Sequence, residues 1–361
     1  MAVTKVTPDG LSTTLLSKNL FHNGDFAVRQ RGDVTGLGAV SVYTMDGVIF
    51  LHSGSPTGRF SALTSTTVPA NTGHRQSLKV DITTADTSIA AAALYYMEMR
   101  LEAQNVSHLR YGESDAKSLT ISFWTRSSTT GDYNLMVEVP DGSRAYAVTY
   151  NIASADTWEK KTITIAGDTG GTINNDTGIG ITLRWGLTAG SNFQGGTEDT
   201  WKAQSNDMYG GGMSLNLFSS TSNDWYMAGL QVEEGAVATD FDFEDYGTTL
   251  DKCQRYLQGV WSDGNNDCIA NGATTTTTST QHVYHLRPHM RANPVLLVSN
   301  VADFEVLQVG GVSDAITGLT IGSVCTSAVM LDGATTNATA GTGILRFDNT
   351  AGAYLAFTAE I

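Results

Sequence analysis

Short runs of alternating apolar and polar residues, each closed by turn-forming residues, recur through the chain. Arg75–Ile82 alternates strictly, and Ser118–Arg126 and Trp158–Ile165 repeat the pattern. Because successive side chains of a β-strand point to opposite faces, these runs predict strands. Gly, Asp, Ser and Asn between the runs are typical of tight turns. The chain should therefore fold into stacked antiparallel sheets. Further strand candidates are Ala93–Leu101, Tyr133–Val139, Tyr146–Asn151, Gly178–Trp185 and Trp225–Glu233.

Length and composition are consistent with such a fold. The chain has 361 residues, enough for two domains, with 38 Gly and only six Pro. No apolar run reaches the roughly 20 residues that a membrane span needs, and no signal peptide is expected. Three scattered cysteines, Cys253, Cys268 and Cys325, predict buried free thiols rather than a disulfide framework.

The charge is strongly acidic and uneven. A net charge of −15 argues against a nucleic-acid partner, because affinity for phosphates comes largely from Lys and Arg. Between Asp224 and Asp251 there are eight acidic residues and no basic one. We interpret this segment as a solvated acidic surface. Calcium binding and docking against a basic partner remain alternatives.

The segment from Asp224 to Tyr256 organises the chain. Its first part, Trp225–Glu233, is almost continuously apolar and predicts a buried closing strand. Asp240–Glu244 then alternates Phe with carboxylates, which indicates a stiff connector with one apolar face. Tyr246, Leu250, Cys253 and Leu257 follow at helical spacing, with Thr248 or Thr249 available as N-cap.

Several separated positions here resemble the junction of tailed-phage fibre and receptor-binding proteins. The resemblance is carried by the run Trp225–Glu233, then Gly235, Ala238–Thr239, Phe241, Tyr246–Gly247 and Cys253–Tyr256. The sequence departs from that family at Asp240 and at Asp242–Glu244. Asn19–Gly32 resembles the family's opening strand and Tyr43–Gly47 its next block, while Met290–Pro294 and Gly352–Ile361 resemble its small C-terminal heads.

This resemblance implies three parts. Residues 1–19 would be an N-terminal anchoring arm, 20–245 a carbohydrate-binding-module-like jelly roll, and 246–361 a small β-sandwich head. The expected fold class is all-β, a jelly-roll β-sandwich followed by a smaller C-terminal β-sandwich. The resemblance also implies a homotrimer that contacts other virion proteins through the arm.

A sugar site needs aromatic rings for the apolar sugar face and polar side chains for the hydroxyls. Trp124, Trp185 and Trp225 lie inside strand patterns and are expected to pack in the core. Trp201 lies in a polar, glycine-rich loop, and loops on a rigid sandwich commonly carry binding residues. We therefore predict a ligand site at Trp201, with Asn192 and Asp199 of the same loop.

The sequence offers two further candidate sites, both for metal ions. Carbohydrate-binding jelly rolls often hold one structural Ca²⁺ near the chain ends, so Asp25 and Asp224 are candidate ligands; otherwise no cofactor is expected. His282, His285 and His289 are expected to be structural, because odd spacing and Pro288 interrupt a shared strand face. A histidine metal site on a trimer axis is the alternative.

Catalysis is not expected, because the sequence has no nucleophile elbow, zinc-protease motif or P-loop. The repeat of a long β-helix, common in depolymerising spikes, is also absent. The sequence thus predicts a structural virion protein of a tailed phage, assembled in the host cytoplasm. It would be a tail fibre or fibre-like appendage that binds a host-surface glycan. The alternatives are a capsid-decorating fibre or cement protein and, less favoured, a polysaccharide depolymerase.

Overall fold

A computed structural model describes residues 18–38, 41–195 and 199–361. Strands dominate these residues, and the two α-helices among them are α1 (Ala103–Val106) and α2 (Tyr246–Gln254). Within these ranges, neither helix has the length and apolar character to cross a membrane. The chain divides into two compact units, Met1–Thr249 and Leu250–Ile361. The all-β class expected from the sequence is confirmed.

The first unit is a sandwich of two antiparallel sheets. In chain order its strands are β1 (Val34–Leu37), β2 (Val42–Tyr43), β3 (Ile49–Ser53), β4 (Arg59–Ser65), β5 (Ser77–Thr84), β6 (Leu94–Glu102), β7 (Leu119–Ser127), β8 (Gly131–Val139), β9 (Arg144–Ile152), β10 (Glu159–Ile165), β11 (Ile179–Ala189), β12 (Lys202–Ala203) and β13 (Asp224–Glu234). One sheet has the order β1–β4–β5–β13–β7–β10, and the other β12–β9–β8–β11–β6–β3–β2. Strands distant in sequence therefore pair, as in a jelly roll.

The core lies between the two sheets. Trp185 and Trp225 are fully buried there, as predicted. Trp124 is only half-buried, so the prediction that it packs in the core is wrong. Its neighbour Phe123 takes the core position, and alternation along β7 turns Trp124 to the opposite face.

The opening segment differs from its expected strand. Residues 18–33 form turns, with Phe26 at φ +54° and the Asn23 amide bonded to backbone of Val28 and of Asp46. The segment still lies along β13, because the amide of Leu20 donates to the carbonyl of Val232. Side-chain bonds from Asn23 replace a regular strand ladder here.

The connector after β13 is bound to the first unit. Phe241 and Phe243 both contact the buried His74 ring, at centroid distances of 4.8 and 5.1 Å, so the predicted apolar face exists. The predicted caps Thr248 and Thr249 are wrong, since Asp245 accepts the first amides of α2. An aspartate is a stronger helix cap than threonine.

The second unit is a smaller sandwich. Its strands are β14 (Leu257–Trp261), β15 (Cys268–Thr276), β16 (Ser279–His285), β17 (Val295–Val298), β18 (Phe304–Gln308), β19 (Ser313–Ala315), β20 (Gly318–Cys325), β21 (Ala328–Ala334), β22 (Gly341–Phe347) and β23 (Tyr354–Thr358). A sheet in the order β14–β23–β17 accompanies one in the order β19–β18–β22–β15–β16–β21–β20. Phe304, Phe347 and Phe357 are buried in its core.

Cysteine and histidine positions in the second unit are only partly as predicted. Cys253 is a buried thiol, as predicted, but Cys268 and Cys325 are exposed. Cys268 begins β15 and Cys325 ends β20, where the core does not cover them. His282 is buried against the Thr280 hydroxyl, whereas His285 is exposed.

Candidate functional site

Charged and aromatic side chains gather on the outer face of the seven-stranded sheet of the first unit. In β6, Met97 is buried in the core, so alternation turns Tyr96 and Glu98 to the other face. In β11, Trp185 is buried and Arg184 faces outward in the same way. The register pairs Arg184 directly with Glu98.

An ion-pair network links three strands at this point. Arg184 Nε donates to Glu98 Oε2 at 2.5 Å, and its Nη1 donates to the Glu138 carboxylate of β8. The other oxygen of Glu98 accepts from Arg100 Nε, also at 2.5 Å. Glu98 is thus held between two guanidinium groups.

Burial makes this network costly to break. The Glu98 side chain is 1% exposed, and those of Arg184 and Glu138 are 13% exposed. Burial lowers the pKa of Arg184, but the charges of Glu98 and Glu138 outweigh it, so this pKa is raised overall. The guanidinium therefore stays charged at any physiological pH.

Two tyrosines flank the arginine. The Tyr96 and Tyr209 ring centroids lie 5.7 Å apart, and Arg184 Cζ lies 5.1 Å from the Tyr209 ring and 6.0 Å from the Tyr96 ring. Burial raises the pKa of Tyr96 to about 12, so its hydroxyl remains a neutral donor. We call Tyr96, Glu98, Glu138, Arg184 and Tyr209 the Arg184 patch.

The loop after β12 positions Tyr209 over the sheet. Its neighbour Met208 is buried against Met136, Ala145 and Ala147 of β8 and β9. That packing anchors the loop and leaves the Tyr209 ring half-buried at the surface.

The chemistry of the patch suits binding more than proton transfer. Half-exposed rings offer apolar faces, and the charged groups beside them offer hydrogen-bond donors and acceptors. Both carboxylates already accept hydrogen bonds from Arg184, which fixes their positions beside the two rings.

The three residues of the predicted ligand site, Trp201, Asn192 and Asp199, do not all lie together. Trp201 is half-buried; its Nε1 donates to the Ala166 carbonyl at 2.7 Å, and its ring contacts Tyr111 and Tyr146 edge-on. Asp199 is exposed, with φ +57°. Asn192 is also exposed. Residues 196–198 of this loop lie outside the described residues.

Asn192 does not lie beside the other two. The amide of Asn192 donates to Ala91, just before β6, while that of Asp199 donates to Ala147 of β9. Three strand spacings separate β6 from β9, roughly 14 Å in all. The structure therefore brings Asp199 and Trp201 to one edge and leaves Asn192 apart.

The two predicted calcium ligands are also apart. The Asp25 carboxylate accepts a hydrogen bond from His74 Nδ1 at 2.5 Å, and Asp25 follows Gly24, whose carbonyl accepts from the Leu230 amide. Leu230 lies in β13, and Asp224 begins that strand six residues earlier, roughly 20 Å away. Asp224 lies near Lys79. Across the described ranges, no group of three His, Cys, Asp or Glu side chains could hold a metal ion.

Sequence reasoning missed the Arg184 patch. Its signal was present as charges at alternate positions, Glu98 with Arg100 in β6 and Arg184 in β11. The sequence did not reveal that β8, β11 and β6 pair, because these strands are adjacent in the sheet but far apart in sequence.

The chain shows low similarity to several solved structures. No protein-family model and no curated protein matches the chain. The enzymatically active domain of bacteriophage CBA120 tailspike protein 4 matches at 10% identity and a TM-score of 0.31, covering 52% of this chain and 19% of that one. A family 11 carbohydrate-binding module from Clostridium thermocellum, in complex with a mixed-linked tetrasaccharide, matches at 12% identity and a TM-score of 0.29, covering 59% and 99%.

A third match is a crystal structure described as a sugar-binding protein from Bacteroides thetaiotaomicron. It has 9% identity and a TM-score of 0.31, and covers 60% of this chain and 99% of that one. The chain spans only about a fifth of the tailspike that it matches. These similarities are too low to carry a functional argument.

Proposed function

We propose that the chain is a non-enzymatic, glycan-binding protein on the outside of a tailed-phage virion, as a tail fibre or fibre-like appendage. The Arg184 patch is the observation that carries the glycan part. Tyr96 and Tyr209 would stack on apolar sugar faces, and Glu138 with Arg184 would bond to hydroxyls beside them. The buried Glu98 would keep Arg184 in position.

The virion part rests on the resemblance of the junction to phage fibre proteins. The structure supports a defined junction, because the Thr239 amide donates to Glu233 and the Asp242 amide donates to the buried Gln231. We further propose that three copies assemble and that residues 1–19 contact other virion proteins. Apart from Lys18 and Asn19, that arm lies outside the described residues.

The absence of catalysis is part of the proposal. Retaining and inverting glycosidases use two carboxyl groups, one of which must carry a proton. Glu98 and Glu138 are both bound to Arg184, an arrangement that supports ligand binding instead.

A glycan array probed with the purified full chain tests the proposal. We expect binding to a restricted set of bacterial surface glycans, lost in Tyr96→Ala and kept in Trp124→Phe, a change on the other sheet. Release of sugar from a bound polysaccharide would contradict the non-enzymatic role. A particle map that located the chain on the capsid would support the alternative, a head fibre or cement protein.

A further inference from the structure

A cavity of about 240 Å³ lies in the first unit, between the opening segment and the connector. Its walls come from the opening segment, from the two residues just before β5, and from the connector with the start of α2. Drug-sized ligands occupy cavities of roughly 300–1,000 Å³, so this one suits a smaller group. None of the residues of the Arg184 patch lines it.

The charged groups around the cavity are mostly hydrogen-bond acceptors. Asp25, Asp242 and Glu244 line it, and ionised carboxylates only accept. Asp242 accepts from the Lys18 amide at 3.1 Å, and Asp25 accepts from His74 Nδ1. Because a carboxylate has about four lone-pair sites, both Asp25 and Asp242 can accept further hydrogen bonds.

A glutamine on the cavity wall adds a buried acceptor. Gln76 lines the cavity, and its Oε1 is buried without a hydrogen bond from any of the described residues. A buried acceptor without a donor destabilises the folded state, and it is satisfied when a donor enters beside it. The group that suits this cavity is therefore a hydrogen-bond donor.

Aromatic rings form the rest of the wall. Phe243 is 51% exposed and Tyr246 is 58% exposed, and both line the cavity together with Phe241. Phe243 packs against His74, and a Cβ placed on Gly73 would lie 3.1 Å from its ring. Ring faces attract a cation that lies within about 6 Å of the centroid. The rings therefore favour a ligand that combines an apolar body with positive charge.

The charge of the cavity is negative. Three carboxylates line it against one guanidinium, that of Arg75, which is exposed. The connector also belongs to the segment from Asp224 to Asp251, with eight acidic residues and no basic one. Such a cluster of like charges raises the local concentration of cations. The field favours a cation over a neutral sugar or an anion.

We infer that this cavity binds a primary alkylammonium group, as carried by lysine side chains of other proteins and by free polyamines. An ammonium has three donors that can turn to separate acceptors, which suits Asp25, Gln76 and Asp242 on three different segments. A guanidinium is instead a planar fork that suits a single carboxylate. The alkyl chain behind the ammonium would pack on Phe243 and Tyr246.

A ligand-observed NMR titration of the full chain with n-butylamine, the chemical equivalent of a lysine side chain, tests the inference. We expect saturable binding that weakens with added salt, and no binding of the uncharged 1-butanol. Asp242→Asn should weaken butylamine binding about tenfold, because Asn still accepts from the Lys18 amide but has no charge. Asp240→Asn is the matched control, since Asp240 is an exposed acid of the same connector that does not line the cavity. It should change the affinity little.

Three further variants separate this site from its surroundings. Gln76→Leu should weaken butylamine binding, because it removes an acceptor. Arg75→Gln should strengthen it, because it removes a like charge from the wall. Tyr96→Ala, which should abolish glycan binding, should bind butylamine as the native chain does. The inference goes beyond glycan binding and uses none of the Arg184 patch, so either proposal can fail without the other.

Two larger probes distinguish the sources of the ammonium group. Spermidine represents free polyamines, and a capped pentapeptide of glycines with one central lysine represents a partner protein. Tighter binding of spermidine would assign the site to polyamines, and tighter binding of the peptide to a partner's lysine; either result supports an ammonium site. Unchanged thermal unfolding would show that each variant remains folded. A native chain that does not bind butylamine, or equal weakening in Asp242→Asn and Asp240→Asn, would overturn the inference.

Discussion

Arg184 and Glu98 lie directly opposite each other on β11 and β6, and Arg184 Nε donates to Glu98 Oε2 at 2.5 Å. The carboxylate is buried on the outer side of the sheet, not in the core between the sheets. Such a position protects the pair from water while its neighbours Tyr96 and Tyr209 remain accessible. The pair therefore connects the stability of the first unit to the geometry of its proposed ligand surface.

Replacing Arg184 should destabilise the first unit. In Arg184→Met, Glu98 keeps only Arg100, and we expect the free energy of unfolding to fall by roughly 3 kcal/mol because a buried carboxylate loses its main partner. Denaturant titration followed by tryptophan fluorescence measures this, since five of the six tryptophans lie in the first unit. Arg110→Met, which breaks exposed pairs with Glu113 and Asp115, is the control and should change little.

The second unit should lose stability in mild acid through His282. Burial lowers the pKa of His282 from 6.5 to about 4. Between these values the unfolded chain binds a proton that the folded chain does not, so stability falls as the pH falls, by at most about 3 kcal/mol. Calorimetry from pH 7 to pH 4 should show this loss for the second unit. His282→Gln should remove this contribution, whereas His285→Gln, an exposed change in the same strand, should not.

Gly229 should not tolerate a side chain. It has φ +56°, and a Cβ there would lie 2.3 Å from Nε2 of His74, which Asp25 and Phe241 hold in place. We expect Gly229→Ala to destabilise the first unit by at least about 2 kcal/mol. Gly36 has a similar φ of +65° but open space around it, so Gly36→Ala measures the backbone strain alone. Equal losses in the two variants would contradict the steric account.

Trp201 stays a predicted ligand contact, and its two roles can be separated. The indole donates to Ala166, so Trp201→Phe should lower stability by about 1 kcal/mol while keeping a ring against Tyr111 and Tyr146. If Trp201 only packs against Tyr111 and Tyr146, Trp201→Phe should bind the glycan with the affinity of the native chain. A tenfold weaker affinity in Trp201→Phe, with the fold intact, would place the ligand at this edge of the sheet.

Period-two alternation was sufficient to locate most strands of the first unit. The predicted runs Arg75–Ile82, Ser118–Arg126 and Trp158–Ile165 correspond to β5, β7 and β10. Each of these strands buries one face, so apolar and polar residues alternate along it. Such a strand can be recognised without knowing which strands it pairs with. Alternation failed at the opening segment, where the side chain of Asn23 replaces strand pairing with local bonds.

The candidate site was harder to predict because it depends on pairing between distant strands. Glu98 and Arg184 are 86 residues apart, and only the register of β6 with β11 makes them neighbours. Trp201 could be predicted from the sequence because an aromatic residue in a polar loop is recognisable without knowledge of its neighbours in the fold. The candidate calcium ligands Asp25 and Asp224 lie apart because the opening segment meets β13 at Leu230, not at the start of that strand.

The most direct test of the central claim is the glycan affinity of Tyr209→Ala relative to the native chain, measured by titration calorimetry with the best ligand from the array. Tyr209 lies on a loop and contributes a ring next to Arg184, so its removal should weaken binding about tenfold, equivalent to about 1.4 kcal/mol, and leave the fold intact. Tyr209→Phe should bind nearly as well as the native chain. An unchanged affinity in a folded Tyr209→Ala protein would show that the ligand does not bind at the Arg184 patch.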